Sequence, residues 1–242
     1  MIFTLHIWRQ QNALAAGGFE KHQIDVSEDT SFLEMLDALN EQLIEQDKEA
    51  IAFDFDCREG ICGSCNLVIS GTPHGKHKGT TTCQQYMRDY ADEKELWIEP
   101  WRATAFPIIK DLIVDRTAFD NIIQAGGYIE IRTGSASEAN TIPIEKHVSD
   151  AAFDSATCIG CGACVAACPN ASATLFVAAK VTHLSTLPQG DMDKQRAKKL
   201  LAAMEEEGFG SCSNYRECER VCPKEISVST ITTMNKLLYQ AS

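Results

Sequence analysis

The first hundred residues follow an apolar and polar pattern that predicts a small domain built from a sheet and one helix. Phe3, Leu5 and Ile7 alternate with other residues as in a half-buried strand, and residues 19–26 predict its hairpin partner. Ser31 and Glu34 have the spacing of a capping box, which predicts the start of a helix. The apolar face of that helix repeats at helical spacing and is expected in the core: Phe32, Leu36, Leu39 and Leu43.

Three further strands are predicted at residues 51–55, 66–70 and 95–99. A hairpin, a helix and later strands in this order are typical of a compact α+β domain. Between residues 101 and 127 the pattern changes from that of strands to that of a helix. Apolar residues after Pro107 recur at helical spacing: Ile108, Leu112, Ile113, Phe119, Ile122 and Ile123. We therefore expect two domains, 1–104 and 105–242, the second one helical.

Helices are also predicted around residues 165–184 and 191–207, the latter a charged amphipathic segment. Pro169 and Pro223 are expected in the first turns of the helices that follow them, where a missing N–H costs nothing. The chain has 242 residues and a formal net charge of −12, which argues against nucleic acid as a partner. No run of about 18 apolar residues predicts a transmembrane segment, and the N-terminus lacks the features of a signal peptide.

Eleven cysteines are the most informative feature of the composition. Thiols in a protein without a secretion signal stay reduced, so such groups indicate metal binding rather than disulfides. Cys57, Cys62 and Cys65 have the C-x4-C-x2-C spacing of a plant-type [2Fe–2S] site. The fourth ligand is expected to be Cys83, since no other cysteine lies in this half of the chain.

Two other metal sites also suit this first group. Four cysteines can hold structural zinc, although such sites more often use two C-x2-C pairs. His74 and His77 lie in the polar loop before Cys83 and suggest a Rieske centre, but that centre uses two cysteines and two histidines. With four cysteines at hand, we expect both histidines to be solvated loop residues.

The second group, C-x2-C-x2-C-x3-C-P, is the bacterial iron–sulfur run, in which the fourth cysteine usually binds the other cluster of a pair. It contains Cys158, Cys161, Cys164 and Cys168. The third group repeats this motif with Tyr215 in place of the second cysteine, and it contains Cys212, Cys218 and Cys222. The crossing rule then predicts two ligand sets, the four cysteines Cys158, Cys161, Cys164 and Cys222, and the three cysteines Cys168, Cys212 and Cys218. Four thiolates suit a [4Fe–4S] cluster and three suit a [3Fe–4S] cluster, which lacks the iron that needs the fourth ligand.

All eleven cysteines, in this order and over nearly the whole chain, resemble those of the iron–sulfur subunit of succinate dehydrogenase and fumarate reductase, the succinate:quinone oxidoreductases. The resemblance implies a β-grasp [2Fe–2S] ferredoxin-like domain followed by an α-helical ferredoxin domain. It also implies a flavoprotein partner with covalently bound FAD and a membrane anchor that exchanges electrons with quinone, often through haem b. In that scheme this chain contains no catalytic residue, relays electrons through its three clusters, and lies on the cytoplasmic face of the inner (plasma) membrane.

The sequence departs from the common members near the predicted three-iron cluster. Asn170-Ala-Ser-Ala173 replaces the serine and tryptophans that help to line a quinone pocket, and Ser213 replaces a histidine. The resemblance therefore points to a divergent branch with a di-haem cytochrome b anchor. Three alternatives stay open at this point: an iron–sulfur subunit of a glycolate-oxidase or heterodisulfide-reductase type, a free-standing soluble ferredoxin, and a zinc-binding structural module. The direction of the reaction, succinate oxidation or fumarate reduction, also stays open.

Overall fold

The structure is a computed structural model that describes residues 1–129, 134, 138, 140, 144–187 and 190–239. Its strands are β1 Ile2–Arg9, β2 Gly18–Asp25, β3 Val68–Ile69, β4 Thr72–Pro73, β5 Glu95–Glu99, β6 Ile108–Lys110 and β7 Ile113–Val114. Its helices are α1 Phe32–Glu45, α2 Thr117–Gln124, α3 Lys146–Ala156, α4 Ala163–Ala166, α5 Thr174–Thr186, α6 Lys194–Glu206, α7 Glu217–Arg220 and α8 Ser229–Tyr239. The α+β fold class is confirmed, with the sheet in the first half and most of the helices in the second.

The N-terminal sheet has five strands in the order β2-β1-β5-β3-β4. The predicted hairpin is confirmed, since β1 and β2 pair antiparallel with Phe3 opposite Ile24. Strand β1 also pairs parallel with β5, which is the predicted strand at residues 95–99. The strand predicted at residues 66–70 is shorter, only Val68–Ile69. Apolar residues of β1 and β5 face α1 and form one hydrophobic core.

Helix α1 begins as the capping box predicts. The Ser31 hydroxyl accepts the backbone N–H of Glu34, and the Glu34 carboxylate accepts the backbone N–H of Ser31 at 2.8 Å. These two bonds satisfy donors that a helix N-terminus otherwise leaves without partners. All four predicted core residues of the helix are at most 3 % exposed: Phe32, Leu36, Leu39 and Leu43.

The predicted strand at residues 51–55 is wrong, because side chains rather than a neighbouring strand bind its backbone. Asn40 accepts the N–H of Ile51 at 2.7 Å and donates to its carbonyl at 2.9 Å. The carboxylate of Asp111 accepts the N–H of Ala52 at 3.0 Å. The N–H of Leu112 also donates to the carbonyl of Ala52 at 3.1 Å, so the segment is well bonded without being part of the sheet ladder.

The helical spacing predicted from Ile108 to Ile123 is wrong over its first part, since residues 108–114 form the small antiparallel pair of β6 and β7. The turn between the two strands contains Asp111, whose φ of 46° is incompatible with a right-handed helix. Only the later part of the predicted helical stretch is helical, as α2. Leu112 belongs to the first core, whereas Phe106 and Phe119 belong to the second. The domain boundary at residue 104 stays a prediction.

The second half of the chain packs around α5, whose buried residues face several directions. Its neighbours are α3, α6 and α8. The predicted amphipathic helix is confirmed as α6, which is capped by Asp193 accepting the N–H of Arg196 at 2.7 Å. Leu200 and Met204 of α6 are buried, as its apolar stripe predicts.

We expect Asp111→Ala to destabilise the first domain by about 3 kcal/mol, since it leaves buried donors and a cation without their acceptor. The Asp111 carboxylate is fully buried and accepts bonds from Arg9 Nε at 3.2 Å and from the N–H of Gln10 at 3.0 Å. Urea unfolding followed by visible circular dichroism would measure the loss as a lower midpoint. Asp111→Asn keeps an acceptor and tolerates the positive φ, so it is expected to lose less; equal losses in both variants would contradict this role.

Candidate cluster-binding sites

The first cysteine group lies in the loop of residues 57–65 that leads toward β3. The sulfur of Cys57 accepts three backbone N–H bonds of 3.3 Å, from Glu59, Ile61 and Cys62. Donors directed at a sulfur favour its thiolate, the form that binds metal. These bonds, led by the one from Glu59, lower the pKa of Cys57 to about 7.

Cys83 lies opposite this loop, in a short 3-10 helix at Thr82–Gln84. Its sulfur accepts the N–H of Gly60 at 3.3 Å and lies 3.0 Å from the hydroxyl oxygen of Thr81. Hydrogen bonding between the sulfurs of Cys65 and Cys83 lowers the pKa of Cys83 to about 6 and raises that of Cys65. The structure thus brings the four predicted ligands of the first site together from two segments of the chain.

His74 is not the solvated loop residue that we expected. Its side chain is buried, and its Nδ1 atom lies 3.2 Å from the hydroxyl of Thr82, next to Cys83. Burial lowers the pKa of His74 to about 3, so the ring is neutral at physiological pH. His77 is exposed, as predicted, and lies 3.3 Å from the Asp89 carboxylate.

One cavity in the second half of the chain is lined by three cysteines of the second group and one of the third: Cys158, Cys161, Cys164 and Cys222. Apolar side chains, among them Leu175 and Phe176, complete its wall. Burial raises the pKa of all four thiols, that of Cys161 to about 12. Four thiolates in such surroundings need nearby positive charge. Bound iron ions supply that charge, and the donor set therefore fits an iron–sulfur cluster.

A second cavity is lined by the other three cysteines: Cys168, Cys212 and Cys218. It lies nearer the surface, since Cys212 is exposed. Burial raises the pKa of Cys218 to about 11. Tyr215, which stands where the first motif has a cysteine, also lines this cavity and is 57 % exposed. The seven cysteines of this half thus divide into the same four and three that the crossing rule predicts.

The two cysteine motifs of this half share their backbone geometry. Gly160 and Asn214 occupy equivalent positions and have φ values of 62° and 57°. Gly162 and Arg216, which directly precede the short helices α4 and α7, have φ values of 90° and 65°. The third group is therefore a structural repeat of the second, in which Tyr215 replaces Cys161.

Pro169 and Pro223 do not lie in the first turns of helices, which corrects the prediction. Each belongs to a turn that follows its cysteine, and the turn contains a residue with positive φ: 49° at Ala171 and 52° at Glu225. The N–H of Ala171 donates to the Cys168 carbonyl at 2.8 Å, and that of Glu225 donates to the Cys222 carbonyl at 3.1 Å. A left-handed residue breaks helical geometry, so α5 and α8 begin only after these turns.

Within the described part of the chain, no group of three or more histidine, cysteine, aspartate or glutamate side chains has the arrangement that holds a metal ion.

Sequence reasoning missed Trp101, which contacts two of these sites. It is fully buried, and its indole N–H donates to the carbonyl of Cys161 at 2.9 Å. Its ring also lies edge-on to His74, with ring centroids 5.3 Å apart. No local spacing rule identifies such a residue, because its two contacts are remote from it in sequence.

Two stretches of the chain match described protein families. Residues 4–121 match a 2Fe-2S iron-sulfur cluster binding domain, and residues 154–226 match a 4Fe-4S dicluster domain. Together with the three groups of thiols, these matches define the class: an iron–sulfur protein with a [2Fe–2S] domain followed by a domain for two further clusters.

Relatives of known function narrow this class. The chain is 30 % identical over 194 residues to the succinate dehydrogenase iron–sulfur subunit of Bacillus subtilis, covering 77 % of this chain and 71 % of that one. It is 26 % identical over 238 residues to the fumarate reductase iron–sulfur subunit of Wolinella succinogenes, covering 95 % and 93 %. The chain belongs to the family of iron–sulfur subunits of succinate dehydrogenase and fumarate reductase.

The fold agrees with that of a solved structure. A chain of the Mycobacterium smegmatis Sdh1 complex in the apo form superimposes with a TM-score of 0.69 at 19 % identity, over 98 % of this chain and 95 % of that one. The two chains therefore share their fold over nearly their whole length.

Proposed function

We propose that this chain is the electron-transfer subunit of a succinate dehydrogenase or fumarate reductase complex. The observation that carries this proposal is the division of seven thiols between two cavities, beside a separate [2Fe–2S] loop. Four thiols, of which Cys161 is buried, line one cavity, and three, of which Cys212 is exposed, line the other. The clusters, when bound, carry one electron at a time. The chain holds the clusters, excludes water from them and directs N–H donors at their sulfurs.

We propose one set of cysteine ligands for each of the three clusters. Cys57, Cys62, Cys65 and Cys83 hold [2Fe–2S], Cys158, Cys161, Cys164 and Cys222 hold [4Fe–4S], and Cys168, Cys212 and Cys218 hold [3Fe–4S]. The N–H bonds to Cys57 and Cys83 support the first set. The shared cavities support the other two.

We further propose two partners: a flavoprotein with FAD, and a membrane anchor that exchanges electrons with quinone or haem b. The names of the relatives, which are subunits of succinate dehydrogenase and fumarate reductase, support this assignment. Among the described residues no helix is both long enough and apolar enough to cross a bilayer. Peripheral attachment to the cytoplasmic face, through the anchor, is consistent with both observations.

The di-haem anchor is proposed on the residues beside the three-thiol cavity. Asn170 donates to the Ser211 carbonyl at 2.9 Å and to the Ser213 hydroxyl at 2.8 Å. Asn170 begins the stretch that replaces the serine and tryptophans of the common members, and Ser213 replaces their histidine. An acceptor held by the anchor, such as haem, then takes electrons directly from this end of the chain.

Affinity purification from solubilised membranes tests the proposed function. We expect a flavoprotein and a haem-containing anchor to co-purify, together with succinate-dependent reduction of a dye. A chain that purifies alone from the soluble fraction would contradict the proposal, as would a partner set that oxidises glycolate or reduces heterodisulfides instead.

We expect Tyr215→Cys to convert the three-iron site into a four-iron site, because it restores the missing thiol at the position equivalent to Cys161. Electron paramagnetic resonance (EPR) of the oxidised protein should lose its three-iron signal, and the reduced protein should gain a second four-iron signal. Tyr215→Ser is the matched control, since a hydroxyl is a poor ligand for iron, and it should keep the three-iron signal. An unchanged signal in Tyr215→Cys at full iron content would contradict the assignment.

A further inference from the structure

The [2Fe–2S] loop and the [4Fe–4S] loop touch each other through their backbones. Gly63, with a φ of 71°, packs so closely on the second loop that a Cβ atom there would lie 2.5 Å from the carbonyl oxygen of Ile159. Real Cβ atoms do not approach that closely, so the contact requires glycine. Cys62 and Cys158, one from each cysteine group, also line one and the same cleft. At this cleft the two proposed cluster sites therefore lie close to each other.

The side chain of Arg116 stabilises this contact between the two loops. Its Nη1 atom donates to the carbonyl of Gly63 at 2.8 Å and to the carbonyl of Gly160 at 2.9 Å. One nitrogen thus binds both cluster loops at once, from a residue that directly precedes α2. A guanidinium is suited to this role because its donors are planar and fixed.

Arg116 also places a permanent positive charge between the two sites, since arginine stays protonated in proteins. Its side chain lines the cleft that Cys62 and Cys158 share. No carboxylate among the described residues lies within salt-bridge distance of it. Asp54 is near enough to respond: burial raises the pKa of Asp54, and the charge of Arg116 opposes that rise. Asp120 and Lys180 line the same cleft, so Arg116 shares it with one carboxylate and one further cation.

We propose that Arg116 is a positioning residue for electron passage between the first two clusters. It holds the two loops at a fixed separation, and its charge favours the reduced form of both clusters over the oxidised form. The inference rests on the proposed function, because it takes the two ligand sets as assigned above. Trp101, bonded to Cys161 and in contact with His74, is a second and uncharged link between the same two sites.

The test compares three variants of the purified complex by EPR-monitored redox titration. In Arg116→Gln the charge is lost, and at a fixed potential the reduced-to-oxidised ratio of [2Fe–2S] and of [4Fe–4S] should fall about tenfold, or about 59 mV for a one-electron couple. The [3Fe–4S] ratio should change less than about twofold, because Arg116 contacts none of its cysteines. Arg88→Gln is the matched control, since Arg88 is an exposed arginine paired with Asp29 at 2.9 Å.

Arg116→Lys separates the effect of the positive charge from the effect of the two hydrogen bonds that hold the loops together. A lysine keeps the positive charge, so both potentials should stay close to wild type, but a single ammonium group does not reproduce the fixed fork of arginine. The magnetic interaction between the two reduced clusters, which reports their separation, should therefore change.

Potentials in Arg116→Gln that match Arg88→Gln at full iron content would overturn the proposal, as would equal shifts in the Gln and Lys variants. If Arg116→Gln does not retain its clusters, the Lys variant decides. An unaltered magnetic interaction in that variant would contradict the proposal that Arg116 fixes the separation of the two loops. Failure of the proposed function is recognised separately, because the wild-type complex would then lack the clusters or the succinate-dependent dye reduction.

Discussion

Cys222→Ala is expected to abolish the reduced [4Fe–4S] signal while the [2Fe–2S] signal persists and the oxidised three-iron signal persists or grows. Cys222 belongs to the third cysteine group in sequence, yet it lines the cavity of Cys158, Cys161 and Cys164. Its removal leaves three thiolates, the donor set that suits a three-iron cluster. Low-temperature EPR of the oxidised and dithionite-reduced complex measures both signals in one preparation.

The reciprocal variant, Cys168→Ala, serves as the matched comparison. Cys168 belongs to the second group in sequence but lines the cavity of Cys212 and Cys218. We expect it to abolish the three-iron signal and to keep the four-iron signal. The opposite pattern in the two variants would show that each motif binds its own cluster, and it would contradict the crossed ligand sets.

Gly210→Ala is expected to disrupt the three-thiol cavity without removing a cysteine. A Cβ atom at this position would lie 1.9 Å from the carbonyl oxygen of Asn170, so the backbone has to move. The N–H of Gly210 also donates to the carbonyl of Ala171 at 3.3 Å. At this point the segment after Cys168 meets the segment before Cys212, and separating them opens the three-thiol cavity.

We expect this variant to lose the three-iron signal and about 3 kcal/mol of stability, at the upper end of the cost of overpacking. Iron content and thermal unfolding of the purified complex measure the two effects. Gly18→Ala is the matched control, because no atom lies within 4 Å of a Cβ at Gly18. Its stability should change by less than about 0.5 kcal/mol. Retention of the three-iron signal in Gly210→Ala would show that the contact is not needed.

Local sequence patterns were sufficient where the backbone satisfies its own hydrogen bonds. The hairpin, α1 with its capping box and α6 with its cap were all predicted from residues a few positions apart. They were insufficient at residues 51–55, because the partners there are the side chains of Asn40 and Asp111. They also failed at residues 108–114, where apolar spacing fits either a helix or a hairpin and the positive φ of Asp111 selects the hairpin.

The candidate sites divide in the same way. Cysteine spacing predicted the first group and the two crossed ligand sets, since ligands to one centre have few workable spacings. Those ligand sets stay predictions until the clusters themselves are measured. Arg116, Trp101 and buried His74 were not predicted, because each acts on the sites through contacts with segments far away in sequence.

The most direct test of the account is the iron and acid-labile sulfide content of the anaerobically purified complex, measured on the same sample as its oxidised EPR spectrum. The account predicts about nine iron atoms per chain and a three-iron signal from the oxidised protein, as expected for [2Fe–2S], [4Fe–4S] and [3Fe–4S]. About ten iron atoms with no three-iron signal would show that a fourth ligand completes the third site. Bound zinc with little iron would contradict the account as a whole.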